Sequence, residues 1–158
     1  MIRVGFGYDA HRFVPDRPLV LGGVRIPYER GLRGHSDADV LLHAACDALL
    51  GAAALGDLGF HFPDSDPELE GVSSVMLLRR VATMVREAGY EVQNLDTTVV
   101  AQQPKLAPYI QSMVRAMAEA LSVSEMQVNV KATTTEGMGF TGHEEGIAAY
   151  AVAALRQG

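Results

Sequence analysis

The sequence predicts an α/β fold of the α+β type, a single domain in which one layer of helices covers one face of a β-sheet. Three observations carry this expectation. Segments with apolar residues at every second position alternate along the chain with segments whose apolar residues return every three to four. No repeat, low-complexity run or linker divides the 158 residues, so the domain is expected to span 1–158. Hydrophobic residues make up 48% and charged residues 20%, which supplies one sizeable core and argues against disorder.

Taken in order, residues 2–8 (IRVGFGY) alternate Ile2, Val4, Phe6 and Tyr8 on one face and should form the first strand, with Asp9 and His11 directly after it. PLVLGGVRIPYE has short β-type runs around Gly22–Gly23, a hairpin pattern, and RGLRGHSDAD is a glycine-punctuated loop. Ser36 fits an N-cap with Asp39 three positions on, and Val40, Leu41, Ala44, Ala45, Ala48 and Leu49 supply an apolar face; a helix should run from Ser36 to the Gly51–Gly56 region. GDLGFHFPDSDPELEG has neither period and is too rich in Gly, Pro and Asp for a spacer, so part of a site is expected there.

SSVMLLRRVATMVREAGY opens on serine caps, sets Val75, Leu78, Val81, Ala82 and Val85 at helical spacing and stops at Gly89. YEVQNLDTTVVA reads as a strand through Val100, PKLAPYIQSMVRAMAEALS as a helix with Pro104 and Pro108 near its start, and MQVNVKATTT as a further strand. The tail EGIAAYAVAALRQ is open to two readings. Alanine favours helix, while Ile147, Ala149, Ala151 and Ala153 can equally line one face of a strand.

The formal net charge of −6 argues against nucleic acid and anionic membrane as partners, because both favour basic patches. A phosphate-bearing ligand must then be held locally, by metal ions, helix N-termini or backbone N–H groups. The opening residues lack a signal peptide pattern, no apolar run approaches membrane-spanning length, and the single Cys46 sits in a small apolar context as an inert thiol, so a cytoplasmic location is expected.

Asp9 and His11 stand at i and i+2, so a continuing strand points both to the same side. His43 is the best third ligand, because one carboxylate with two imidazoles suits zinc and leaves a fourth tetrahedral position; Asp47, one turn on, can orient that imidazole. The bland alternative is a turn-forming Asp9, a surface His11 and a hydrogen-bonded core His43. HSDAD reads either as a capped helix N-terminus or as a loop bringing His35 and backbone donors to a phosphate. TTTEGMGFTGHEEG, residues 133–146, offers Glu136 to a hard cation and Thr134 or Thr135 to a phosphate, or is simply turn chemistry after a strand. GFGYD is not a dinucleotide fingerprint, since Ala10 stands where the last glycine belongs, and no Walker A, paired C-x-x-C or G-x-S-x-G sequence is present.

Together, GFGYDAHRF, GHSDADVLLHAACDALLGAAALGDLGFHFPDSDP, QQPKLAPYI and KATTTEGMGFTGHEEGIAA closely resemble the 2-C-methyl-D-erythritol 2,4-cyclodiphosphate synthase family, over essentially residues 1–155. The resemblance implies conversion of 4-diphosphocytidyl-2-C-methyl-D-erythritol 2-phosphate to the cyclic diphosphate plus CMP, a step of non-mevalonate isoprenoid synthesis. It implies zinc or another divalent transition metal on Asp9, His11 and His43, and Mg2+ or Mn2+ on Glu136. His35 and Ser36 match a loop beside the methylerythritol phosphate, Asp57 and Gly59 a ribose-binding turn, and Asp64 a mobile loop near the erythritol part. Ala101, Lys105 and Leu106 match the surroundings of cytosine, Thr133 and Thr134 those of its phosphates, and Phe140 and His143 complete the substrate-binding set; His35 and Thr134 also join the metal-binding residues in the catalytic set.

The same resemblance implies a mixed sheet and a homotrimer with sheets facing the three-fold axis and active sites between subunits. It makes Ile147–Leu155 a strand whose small alanines pack near the trimer centre. Two departures stand out: His143 occupies the usual place of an arginine, which puts anion binding near the axis in question, and Glu70 that of a lysine. The rivals are a metal-dependent phosphohydrolase and a trimeric nucleotide-binding regulator with structural zinc.

Overall fold

The computed structural model describes residues 1–158. Its strands are β1 (Ile2–Pro15), β2 (Leu19–Leu21), β3 (Val24–Ile26), β4 (Arg30–Leu32), β5 (Tyr90–Val100), β6 (Val128–Thr133) and β7 (Gly146–Gln157). Its α-helices are α1 (Val40–Ala52), α2 (Leu58–His61), α3 (Ser74–Glu87), α4 (Ile110–Leu121) and α5 (Gly139–Gly142). Five strands form one mixed sheet in the order β4-β1-β7-β5-β6; only the β5–β6 pair is parallel, and α4 lies in its crossover. β2 and β3 form the expected hairpin at Gly22–Gly23. No helix is long and apolar enough to cross a membrane.

The centre of the sheet is built for close approach. α1 packs on β1 and β7, and a Cβ added to Gly5 would stand 1.9 Å from the Ala48 carbonyl oxygen, one added to Gly7 1.9 Å from that of Ala44. Gly7 pairs with Ala151 and Gly5 with Ala153, so α1 sits on a floor of glycine and alanine. Only residues this small let a helix backbone come so near a sheet.

The facing of β1 differs from what its alternation suggests. Its apolar residues Ile2, Val4, Phe6 and Tyr8 lie on the uncovered side, exposed by 57, 67, 61 and 44%, while the glycines take the helix side. β7 follows suit: Tyr150 and Val152 share the uncovered face, and the Tyr8 and Tyr150 rings stand 5.1 Å apart. Helices therefore cover one face and leave an apolar strip on the other.

The tail is the strand that the resemblance implies, against the helical propensity of alanine, because β7 hydrogen-bonds β1 on one edge and β5 on the other. Two other expectations are corrected. Ala149, Ala151 and Ala153 are buried under α1 and do not face outward; the outward side chains are Tyr150 and Val152. α1 starts at Val40 and its N-cap is Asp39, not Ser36. The reason is a left-handed residue, Ala38 at φ +59°, which breaks the helical path just before it. Asp39 is fully buried and accepts from Leu42 N at 3.1 Å and from Gly22 N and Gly23 N at 2.9 and 2.7 Å. Burial pushes its carboxyl up to about 6, the three N–H donors acting in the other direction. One side chain thus caps α1 and ties down the β2–β3 hairpin.

Candidate metal centre

β1 runs on as a strand through the residues after Tyr8, so Asp9 and His11 lie within it and not beyond its end. Alternation puts them on the same side as Gly5 and Gly7, the side covered by α1. His43 precedes Ala44, whose carbonyl lies over Gly7, so the close helix–sheet contact also sets the height of His43 above the strand. His11 Nε2 lies 2.9 Å and His43 Nδ1 3.1 Å from the same oxygen, Asp9 Oδ2, and the two ring nitrogens are 3.2 Å apart.

Hydrogen bonds on the far side of each ring decide what this triangle contains. His11 Nδ1 lies 2.8 Å from the Arg33 carbonyl oxygen, which can only accept, so Nδ1 carries the proton and Nε2 presents a lone pair. His43 Nε2 lies 2.9 Å from Ser74 Oγ and 3.0 Å from Ser36 Oγ, and with its proton there, Nδ1 also presents a lone pair. Two imidazole lone pairs and a carboxylate oxygen then face one another, and something positive must sit among them. Burial pushes the Asp9 carboxyl up, but the two imidazoles beside it outweigh this and hold it at about 2, as a carboxylate; burial lowers His11, and the same carboxylate outweighs that and raises it. A shared proton satisfies two of the three atoms, whereas a divalent ion satisfies all three. Ligands about 2.0–2.1 Å from a tetrahedral zinc are about 3.3 Å apart, close to the triangle observed.

The three ligand atoms open onto a cleft of about 240 Å3 whose wall includes His35, Ser36, Gly59 and Asp64. The Gly/Pro/Asp-rich segment supplies much of this wall through Leu58, Gly59, Phe62, Asp64 and Leu69. His35 is held by Nε2 at 2.9 Å from the Asp66 carbonyl oxygen. Asp57 lies outside the wall and caps α2, accepting from Phe60 N at 2.9 Å.

Asp47 does not orient His43. Its Oδ1 accepts from Leu58 N at 2.7 Å, which anchors α2, and the groups holding His43 Nε2 are Ser36 and Ser74. Ser74 and the Asp37 carboxylate behind it carry no signal in the sequence, because no spacing joins a serine at the start of one helix to a histidine 31 residues earlier.

The remaining candidates gather elsewhere. Ala101, Lys105, Leu106, Thr133, Thr134 and Glu136 line none of the Asp9–His11–His43 cleft and lie at or just after the C-terminal ends of the parallel strands β5 and β6. Ala101 N donates to the Thr133 carbonyl at 3.0 Å, and Gly137 N donates to Gln102 Oε1 at 3.1 Å, so the two loops form one rim. Glu136 is exposed with φ +55°, and its N–H donates to Thr134 Oγ1 at 3.1 Å. Phe140 borders a second, shallower depression shared with His11 and Arg12, and His143 caps α5 with its backbone N–H.

Residues 2–156 match the sequence model of the YgbB family. The chain belongs to the YgbB family. Among its relatives in that family is the 2-C-methyl-D-erythritol 2,4-cyclodiphosphate synthase of Syntrophobacter fumaroxidans, 63% identical over 155 residues and covering 98% of each chain. Among solved structures, the bifunctional IspDF of Campylobacter jejuni superposes with a TM-score of 0.97 at 45% identity, over all of this chain and 43% of that one. IspF of Plasmodium falciparum, solved as a CDP complex, superposes with a TM-score of 0.86 at 31% identity, covering 99% of this chain and 96% of that one. In this YgbB chain the fold is therefore the mixed α/β sheet of those structures, and Asp9, His11 and His43 form a cluster able to hold a divalent metal ion.

Proposed function

We infer that this chain is a cyclodiphosphate synthase of isoprenoid biosynthesis, converting 4-diphosphocytidyl-2-C-methyl-D-erythritol 2-phosphate to 2-C-methyl-D-erythritol 2,4-cyclodiphosphate and CMP. The observation that carries this reading is the convergence of three lone-pair donors, Asp9 Oδ2, His11 Nε2 and His43 Nδ1, in a chain that aligns end to end with relatives of that name. An oxygen of the substrate's 2-phosphate forms a bond to the β-phosphorus as the bond from that phosphorus to the α-phosphate oxygen breaks. CMP leaves with that oxygen, and no water is consumed.

Asp9, His11 and His43 hold zinc or a similar divalent transition ion, and Glu136 offers its exposed carboxylate to Mg2+ or Mn2+. Ions held there would supply positive charge against the phosphates, which an acidic chain needs in order to accept an anionic substrate. His35 and Ser36, beside the ligands, receive the methylerythritol phosphate, and Asp64 the erythritol portion. Asp57 and Gly59 take the ribose, Ala101, Lys105 and Leu106 the cytosine, and Thr133 and Thr134 its phosphates. Phe140 and His143 border the substrate on the side of α5. The chain's own task is to align the nucleophilic oxygen with the phosphorus, since an intramolecular transfer gains most from orientation.

The assembly that fits is a homotrimer with sheets turned to the axis. The uncovered strip of Phe6, Tyr8, Tyr150 and Val152 supports it, because exposed apolar surface of this kind marks an interface. The separation of the nucleotide rim from the metal cleft supports sites completed between neighbouring chains. Analytical ultracentrifugation is expected to give three times the chain mass, and Val152→Arg to shift it to monomer; a native monomer would remove this part of the reading.

The test of the function is 31P NMR of the purified chain with substrate, Zn2+ and Mg2+. CMP appearing with a cyclic diphosphate is the expected result. Open-chain products instead mark a phosphohydrolase, and an unchanged spectrum from metal-loaded protein marks a binding module.

A further inference from the structure

The two hydroxyls on His43 Nε2 are not equivalent. Ser36 Oγ accepts from Ala38 N at 3.1 Å, and its own proton is uncommitted, so it can either accept from the imidazole or donate to it. Ser74 has no such choice. Its hydroxyl donates to Asp37 Oδ1 in a short hydrogen bond and its backbone N–H to Asp37 Oδ2 at 3.1 Å. Asp37 is itself held, accepting on Oδ1 from Asp39 N at 3.2 Å and donating its N–H to the Val72 carbonyl at 3.0 Å. Ser74 is fully buried at the first turn of α3, so no water replaces these partners.

With its proton committed to Asp37, Ser74 Oγ turns a lone pair toward His43 Nε2 at 2.9 Å. Had Nε2 no proton, two lone pairs would meet there. We propose that Ser74, backed by Asp37, is the positioning residue that fixes His43 as its Nε2–H tautomer and so aims the Nδ1 lone pair at Asp9 and His11 before any ion binds. The inference rests on the metal reading of those three residues and adds to it the device that prepares one ligand. Were Ser36 the only partner, its hydroxyl could donate to Nε2, and the imidazole proton would then sit on Nδ1, inside the site it must vacate.

The device also reaches the cleft wall. Gly71 N donates to the His35 carbonyl at 2.7 Å, Asp37 N to Val72 O, and His35 Nε2 meets Asp66 O at 2.9 Å. The segment that delivers Ser74 to His43 is thus laced to the loop carrying His35 and Ser36, and tautomer control and the substrate-facing wall share one set of hydrogen bonds.

The test uses the metal-free full chain labelled with 15N-histidine. Long-range 1H–15N correlation reads each tautomer, and Co2+ absorption reads affinity and geometry at the site. The native chain is expected to show His43 as Nε2–H. Ser74→Ala is expected to populate Nδ1–H and to bind Co2+ about 10- to 100-fold more weakly, whereas Ser36→Ala keeps the native tautomer. A native His43 carrying its proton on Nδ1 overturns the proposal, and this outcome needs no variant to fold. So does a Ser74→Ala chain with native tautomer and native Co2+ affinity. A native chain that binds no Co2+ through Asp9, His11 and His43 instead removes the metal reading, and this proposal with it.

Discussion

The His43→Ala chain is expected to fold and to lose turnover by about three orders of magnitude or more. The lost ring supplies one of only three donor atoms, and the two left, on Asp9 and His11, come from a single strand and hold an ion at one edge only. Stability should change little by comparison. The His43 side chain is 12% exposed, and its ring nitrogens face two hydroxyls, one carboxylate and the His11 ring, not the apolar core. Metal content by elemental analysis, thermal melting and 31P turnover separate these effects. Native turnover with native metal content in this variant would take His43 out of the site.

Gly7→Ala is expected to damage fold and site together. The new Cβ would lie 1.9 Å from Ala44 O and 2.8 Å from Ala48 N, atoms of the α1 backbone that cannot swing aside as a side chain can. The helix must lift from the sheet, at a cost of about 3 kcal/mol or more. Lifting α1 at Ala44 raises His43 away from Asp9, so metal affinity should fall even in the fraction that folds. Gly51→Ala is the matched control, since Gly51 lies in the same helix with nothing within 4 Å of the added carbon. There alanine is expected to stabilise by about 0.5–1 kcal/mol. The two variants should bracket the native chain in chemical denaturation; equal midpoints would mean that β1 and α1 have slack between them.

Much of this architecture is legible in the sequence because it is local. The hairpin at Gly22–Gly23, the stop at Gly89 and the irregular segment leading to Asp64 rest on turn and capping chemistry that neighbouring residues impose. What is not legible depends on contacts distant in sequence. Alternation announces that β1 is a strand, but not that its apolar side faces away from the helices, since glycine on the other side gains its meaning only beneath Ala44 and Ala48. The tail carries residues small enough for either element, and pairing along both edges decides for strand. The N-cap of α1 is Asp39 and not Ser36, and Asp39 also serves the hairpin, a demand made from 16 and 17 residues away. For the candidate site, Asp9, His11 and His43 are legible as a ligand set, whereas the serine–aspartate support of His43 is not, because it joins the start of α3 to the loop before α1.

The glycine and alanine floor beneath α1 also bears on how such a chain can diversify. An interface with no free volume has no small variants to try: nearly any change at Gly5, Gly7, Ala149 or Ala151 adds atoms where none fit. The cleft wall at Leu58, Gly59, Phe62 and Asp64 belongs to a separate segment outside this contact. A change in the cleft wall can therefore alter what the cleft admits without disturbing the spacing of Asp9, His11 and His43.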